Sequence, residues 1–146
     1  MVTPVTPVTP GELVALARAA REHAYAPYSR FKVGAALIAG SGRVYTGCNV
    51  ENASYSHTCC AERTAVFKAV SEGERSIVGI AIVTDTHPPA SPCGSCRQVL
   101  HEFGADAFVV VANLEGEERR STVRAYLPEG FDPEVVLAAI RGGTPG

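Results

Sequence analysis

The feature that most constrains this chain is a set of three cysteines at the predicted starts of two helices. The segment Pro92–Cys96, which reads PCGSC, carries a C-x-x-C pair, and the segment Cys60–Glu62 opens an earlier helix. A helix N-terminus offers unpaired N–H groups and the positive end of the helix dipole, which stabilise the thiolate form of cysteine. Because zinc binds thiolates, the sequence predicts metal ligands at both helix starts.

The number of ligands bears on whether such a metal would be catalytic or structural. Three sulfurs, from Cys60, Cys93 and Cys96, leave one position of a tetrahedral zinc ion open for water, as in catalytic sites, whereas a structural site closes with four protein ligands. Two other interpretations fit the spacing as well. The C-x-x-C segment could be a redox pair, or a fourth residue could close a structural site. The candidates for that fourth ligand are Cys59, Cys48 and His57.

The acidic residue Glu62 favours the catalytic interpretation. Zinc deaminases carry a metal ligand, any residue and then a glutamate, followed later by P-C-x-x-C. Deamination needs a group that takes a proton from water, protonates the ring and then protonates the departing ammonia, and one carboxylate beside the metal can do all three. Considered alone, Glu62 would instead be a solvated acid that complements the helix dipole.

Charge and hydropathy restrict the class of substrate. The chain of 146 residues suits one domain, and its formal net charge is -2. Proteins that bind duplex nucleic acid usually cluster lysine and arginine on one face, so we expect a small substrate and no nucleic acid polymer. No apolar run approaches the roughly 18 residues of a membrane helix, and the N-terminus lacks the regions of a signal peptide. We therefore expect no membrane partner and a cytoplasmic location.

Periodicity and turn residues predict the organisation of the chain. Residues 1–10 contain VTP three times, which predicts a flexible tail, followed by a single domain over residues 11–146. The predicted helices are 11–24, 60–71, 92–103 and 133–140, and the predicted strands are 32–39, 43–50, 77–84, 107–112 and a short fifth near 121–124. This order predicts an α/β fold, a three-layer α/β/α sandwich with a five-stranded mixed sheet.

Over residues 27–131 the sequence resembles the small cytidine deaminase family. The matching motifs are Tyr28-Ser29, Phe31, Val33–Ala36, Gly47–Tyr55, Cys60–Arg63, Ser91–Gly94 and Cys96–Leu100. The resemblance implies hydrolytic deamination of cytidine and 2′-deoxycytidine to uridine and 2′-deoxyuridine, with release of ammonia, in pyrimidine salvage. It also implies one zinc ion per subunit and a homotetramer whose active sites are built from several subunits.

The resemblance assigns polar contacts to the nucleoside. Asn49 and Glu51 would bind the ribose 3′-hydroxyl, since an amide and a carboxylate suit a group that both donates and accepts. The backbone N–H of Ala61 and the carbonyl of Ser91 would orient the base carbonyl and the exocyclic amine. Without the surrounding motif, Asn49 and Glu51 would be a turn residue and a surface acid.

The resemblance also assigns three aromatic residues and one arginine. Phe31 would pack against the pyrimidine, Phe131 would reach it across a subunit boundary, and Tyr55 would take part in binding. For each of these a role in core or subunit packing is the alternative. Arg63 would offset the negative charge of zinc with three thiolates by hydrogen bonding to sulfur. Its alternative is a helix arginine that faces solvent.

Other functions remain open at the level of sequence. A blasticidin S deaminase shares the Cys-Ala-Glu and Pro-Cys-Gly elements but differs in the sugar-binding segment. A deaminase that edits RNA or DNA would need a basic channel, and a non-catalytic zinc module would use four ligands. Arg97 and Gln98 match the family pattern, but the sequence does not separate structural support from substrate contact.

Overall fold

A five-stranded mixed sheet forms the centre of the computed structural model, which describes residues 8–141. The strands are Val33–Ala39 (β1), Val44–Cys48 (β2), Ile77–Thr84 (β3), Phe108–Ala112 (β4) and Glu118–Thr122 (β5). The helices are Pro10–Arg21 (α1), Ala61–Ser71 (α2), Gly94–Gly104 (α3), Val123–Tyr126 (α4) and Pro133–Ile140 (α5), with a single 3-10 turn at Tyr55–His57. None of the helices within residues 8–141 is long and apolar enough to cross a membrane.

The strand order is β2-β1-β3-β4-β5. Strands β3 and β4 are parallel, and the other neighbours are antiparallel, so the predicted mixed sheet is confirmed. The fifth strand ends earlier than predicted, because the side chain of Thr122 accepts a hydrogen bond from the Ala125 N–H and caps α4 there. Residues 123 and 124 of the predicted strand therefore begin a helix.

Helices cover both faces of the sheet, which confirms the three-layer arrangement. Successive strand residues point to opposite faces, and each face forms its own apolar cluster. Leu13 and Ala17 of α1 pack on one face with Ala36, Val44, Ala81, Val83, Val110 and Ala112. Helices α2 and α3 pack on the other face, where the buried strand residues include Ala35, Leu37, Ile80, Ile82, Val109 and Val111.

Helix α1 begins at Pro10, one residue before the predicted start. Proline is tolerated at the first helical position because its missing N–H has no partner there. Thr9 and Glu12 form a capping box, with hydrogen bonds of 3.1 and 2.9 Å between side chain and backbone. The helix ends at Arg21, before the predicted Ala24, and the following chain pairs Tyr25 with Val50. Residues 1–7 of the predicted tail and residues 142–146 lie outside the described residues.

A glycine in β2 sets the distance between the sheet and α2. A Cβ atom at Gly47 would lie 2.5 Å from the backbone nitrogen of Ala65 and 2.7 Å from the carbonyl oxygen of Ala61. Only glycine leaves room for so close a helix. The first turns of α2 are therefore held directly against β2.

Candidate functional site

The three predicted metal ligands meet at the starts of α2 and α3. Cys60 immediately precedes α2, Cys93 immediately precedes α3, and Cys96 lies in the first turn of α3. Their Sγ atoms all lie within 4.8 Å of one another, and those of Cys60 and Cys93 are 3.9 Å apart. Two thiolates bound to one tetrahedral zinc ion at about 2.3 Å would lie about 3.8 Å apart, so the cluster fits zinc.

The residues considered as a fourth ligand do not join this cluster. Within residues 8–141, the group of ligand atoms close enough to hold one ion contains the three cysteines and none of Cys48, His57 and Cys59. The protein therefore offers zinc three sulfurs, which leaves a coordination position free of protein ligands. That arrangement is typical of catalytic rather than structural zinc sites.

Hydrogen bonds to sulfur prepare the cluster for a cation. The thiol of Cys96, followed by the guanidinium of Arg63, lowers the pKa of Cys60 to about 5. Arg63 Nη2 donates to Cys60 Sγ at 3.4 Å. The hydrogen bond to Cys60, together with burial, raises the pKa of Cys96. Cys60 is therefore a thiolate at neutral pH, the form that binds metal.

Glu62 lies buried in the first turn of α2, with 5% of its surface exposed. Burial, assisted by the negative charge of Cys60, raises the pKa of Glu62 to about 7. A carboxyl group with this pKa can both accept and donate protons near neutral pH, which general acid–base catalysis requires. The alternative of a solvated helix-start acid does not apply to Glu62.

A cavity of about 240 Å³ opens beside the cysteine cluster. Eight of the predicted site residues line it: Phe31, Asn49, Glu51, Cys60, Ala61, Glu62, Ser91 and Cys93. The other lining residues are Ser29, Val33, Thr58, Ile82, Thr84 and Ala90. The lining is largely apolar with a few polar groups, which is usual for sites that bind small molecules.

The carboxylate of Glu51 is held by the loop before β1. Glu51 Oε1 accepts hydrogen bonds from the backbone N–H groups of Tyr28 and Ser29, at 3.0 and 3.1 Å, and Oε2 accepts one from the Ser29 hydroxyl. The hydrogen bond from the Ser29 hydroxyl is the largest cause of the lowered pKa of Glu51. Ser29 Oγ in turn accepts from the N–H of Phe31 at 3.0 Å. Glu51 is therefore ionised and fixed at the cavity wall.

The Asn49 side chain holds the same loop from the other side. Its Oδ1 accepts from the Val33 N–H at 2.8 Å, and its Nδ2 donates to the Phe31 carbonyl at 2.7 Å. An amide has two N–H groups and two acceptor positions, so Asn49 keeps one of each for a ligand. These contacts also place Phe31, which is 44% exposed and lines the cavity.

Comparison with known proteins agrees with this geometry. The family model of the cytidine and deoxycytidylate deaminase zinc-binding region matches residues 9–112, which include the whole site described above. The chain belongs to this deaminase family. Its zinc-binding character accords with the three-cysteine cluster, so the predicted family and cofactor are confirmed.

Named relatives and a solved structure extend this result over most of the chain. A cytidine deaminase of Sporosarcina psychrophila is 53% identical over 124 residues, which cover 84% of this chain and 91% of the relative. A cytidine deaminase of Halalkalibacterium halodurans is 56% identical over 116 residues, which cover 79% of this chain and 88% of the relative. A crystal structure of cytidine deaminase from Burkholderia pseudomallei superposes with a TM-score of 0.82 at 50% identity, covering 85% of this chain and all of that one.

Two of the predicted substrate-binding residues of this deaminase chain do not line its cavity. Tyr55 is 65% exposed and packs edge-on against Tyr28, with ring centroids 5.8 Å apart. Phe131 is 68% exposed, and its backbone N–H and carbonyl both form hydrogen bonds with the side chain of Gln98. Neither Tyr55 nor Phe131 lines the cavity of its own chain, so their predicted roles in binding remain predictions.

Several residues that line the deaminase cavity were not predicted from the sequence. Ser29 carried a signal, since it stands in the Tyr-Ser motif and its hydroxyl could be expected to bond a nearby acid. Ile82 and Thr84 lie at the end of a correctly predicted strand, but nothing local indicates that this strand ends at the site. Thr58 and Ala90 lie in irregular segments whose position depends on packing.

Proposed function

We propose that this protein catalyses the hydrolytic deamination of cytidine and 2′-deoxycytidine to uridine and 2′-deoxyuridine, with release of ammonia. The proposal rests chiefly on the buried Glu62, which lies beside the three-sulfur cluster in a cavity that Asn49 and Glu51 also line. Family membership and the names of the relatives support the same reaction. We place the reaction in pyrimidine salvage, in the cytoplasm.

Cys60, Cys93 and Cys96 would hold one zinc ion per chain. When bound, zinc supplies Lewis acidity and lowers the pKa of a water molecule to about 7, which makes that water a nucleophile near neutral pH. Arg63 donates to Cys60 Sγ and so offsets the charge of three thiolates. Its removal should make the site more negative and weaken its Lewis acidity.

Glu62 would carry protons between water and substrate. In its ionised form it accepts a proton from the attacking water and delivers that proton to the ring nitrogen N3 of cytosine. It then passes the second water proton to the amino group, which leaves as ammonia. A pKa of about 7 suits both the acceptor and the donor step.

The remaining lining residues would orient the nucleoside. Asn49 retains a donor and an acceptor, and Glu51 is an ionised acceptor, so together they suit the ribose 3′-hydroxyl. Neither residue requires a 2′-hydroxyl, so both sugars should be accepted. The backbone N–H of Ala61 and the carbonyl of Ser91 would orient the base, and Phe31 would pack against its face.

We further propose a homotetramer in which subunits complete each other's sites. Phe131 is well exposed and lies outside its own cavity, so it would reach a bound base only in another subunit. Helix α5 also exposes the apolar side chains of Val135, Leu137 and Ile140. A large exposed apolar patch often marks a protein interface. Tyr55, which is exposed and packs against Tyr28, would lie at the same boundary.

The test is steady-state deamination of cytidine by the zinc-loaded protein and by Glu62→Gln. Loss of the general acid–base group should lower turnover by about 10²–10⁴-fold with zinc content unchanged. Glu72→Gln is a matched control, because Glu72 lies exposed at the opposite end of the same helix. Full activity of Glu62→Gln would exclude the proton-transfer role.

Two further measurements separate the rival functions. A faster reaction with blasticidin S than with cytidine would favour that antibiotic as the substrate. Cys59→Ser should keep its zinc, since Cys59 stands outside the cluster. Release of zinc by Cys59→Ser as readily as by Cys60→Ser would indicate a four-ligand structural site, and a folded, zinc-loaded protein inactive on cytidine would reject the proposed reaction.

A further inference from the structure

Arg97 follows the metal-cluster residue Cys96, yet it is not one of the residues that line the cavity. Its guanidinium donates three hydrogen bonds in three directions. Nε donates to the carbonyl of Pro92 at 2.7 Å, Nη2 to the hydroxyl of Ser91 at 3.1 Å, and Nη1 to the carbonyl of Tyr126 at 3.1 Å. One side chain thus connects α3, the segment before it and the end of α4.

Two of these bonds hold the wall of the cavity. Ser91 and Cys93 both line it, and Pro92 stands between them. Residues 85–93 form neither helix nor strand, so no ladder of backbone hydrogen bonds fixes their position. Side-chain bonds to such a segment largely determine where its carbonyl groups point. The Thr84 hydroxyl accepts from the Ala90 N–H at 3.3 Å, and Arg97 bonds the next two residues, Ser91 and Pro92. Arg97 therefore helps to set the position of the segment that carries Ser91.

The third bond holds the guanidinium itself. Its central carbon lies 4.8 Å from the ring centroid of Tyr126, in a cation–π contact, and Nη1 donates to the carbonyl of the same residue. A planar guanidinium can serve three acceptors and an aromatic face at once. A lysine ammonium on its single flexible stem cannot reproduce this fork, so the arrangement is specific to arginine.

We propose that Arg97 is a positioning residue for deamination, which holds the Ser91 segment where the amino group of the base binds. This inference rests on the proposed function, since it assumes that the Ser91 carbonyl faces the substrate. Arg97 itself touches neither substrate nor metal. Misplacement of a contact by about 1 Å can lower a rate by about 10²-fold, so loss of Arg97 should be visible in catalysis.

The experiment compares Arg97→Ala and Arg97→Lys with the wild type, using zinc-loaded protein and cytidine. We expect kcat/KM to fall about 10- to 100-fold in both variants, with one zinc per chain and a thermal midpoint close to that of the wild type. Added methylguanidinium, at tens of millimolar, should restore part of the activity of Arg97→Ala, because it can occupy the vacated donor site. Methylammonium at the same concentration should not.

Arg75→Ala is the matched control. Arg75 donates to the carbonyls of Val70 and Glu74, at the opposite end of β3 from the cavity. Its loss removes backbone contacts of the same kind without touching the site, so kcat/KM should stay within about twofold of the wild type, an effect below about 0.4 kcal/mol. Methylguanidinium should leave this variant unchanged.

Three results would overturn the inference. If Arg97→Ala has the kcat/KM of the wild type, the Arg97 hydrogen bonds are dispensable. Arg97→Lys serves for the same comparison if the alanine variant does not fold. Activity lost in proportion to zinc or folded protein, without rescue by methylguanidinium, would assign Arg97 a purely structural role. Wild-type protein that is inactive on cytidine would reject the proposed function, and this inference with it.

Discussion

Replacing Gly47 by alanine should damage catalysis through the backbone of α2, without changing any residue of the cavity. The added Cβ would lie 2.5 Å from the Ala65 nitrogen and 2.7 Å from the Ala61 oxygen, whereas ordinary contact begins at 3.4 Å. Both atoms belong to the backbone, so no side chain can rotate away. The start of α2 must therefore move away from β2 by about 0.9 Å.

This displacement is large for a catalytic site. The same helix start carries Cys60 and Glu62, while Cys93 and Cys96 belong to α3 and would not move with it. A shift near 1 Å corresponds to a loss of about 10²-fold in rate. Overpacking of this kind also costs about 1–3 kcal/mol of the free energy of unfolding.

The assay pairs turnover of cytidine with urea unfolding and zinc content. Gly11→Ala is the control, because the nearest atom to its Cβ is 3.9 Å away and Gly11 lies in α1, far along the chain from the site. This control should be neutral or more stable by up to about 1 kcal/mol. The reasoning would be refuted if Gly47→Ala had wild-type turnover and a free energy of unfolding within about 0.5 kcal/mol of the wild-type value.

The other predictions concern pH, backbone strain and the loop before α5. In zinc-free protein the raised pKa of Glu62 stabilises the fold fully below pH 4.5, and this contribution is lost as the pH rises through about 7. Glu62→Gln should therefore be more stable than the wild type at pH 8, by at most about 3 kcal/mol, and should have little advantage near pH 4.5. A difference in urea unfolding that does not change with pH would contradict this. Arg30 has a φ of 59°, a conformation that is easiest for glycine and hardest for a β-branched residue. Arg30→Gly should therefore not destabilise the fold, whereas Arg30→Val should lower the free energy of unfolding. The reverse order in thermal unfolding would contradict this. Gln98→Ala removes both side-chain bonds to the Phe131 backbone, at 2.9 and 3.1 Å, and should lower activity. Chains with Glu62→Gln lack the proton-transfer group but supply an intact Phe131. Co-expression with them should therefore raise the activity per Gln98→Ala chain. Unchanged activity would count against sites that are shared between subunits.

Local chemistry and periodicity were enough to predict much of this protein. The cysteines at helix starts and the following Glu62 could be recognised because thiolate stabilisation and proton transfer depend on residue type and short spacing. Strands β1, β3 and β4 followed from apolar runs between turns, and β2 followed as the hairpin partner of β1. The polar β5 was predicted only approximately, near 121–124. The errors are local ones of the same kind: Pro10 was assigned to the tail although proline suits a helix start, and the cap at Thr122 was missed.

Tertiary structure decided what depends on contacts between distant parts of the chain. The pKa of Glu62 follows from burial, and the meeting of Cys60 with Cys93 follows from the packing of two helices on one sheet, which Gly47 permits. The three acceptors of Arg97, on Pro92, Ser91 and Tyr126, are likewise brought together only by the fold. Spacing along the chain carries no information on such contacts, because the free energy that selects them comes from burial and packing of the whole domain.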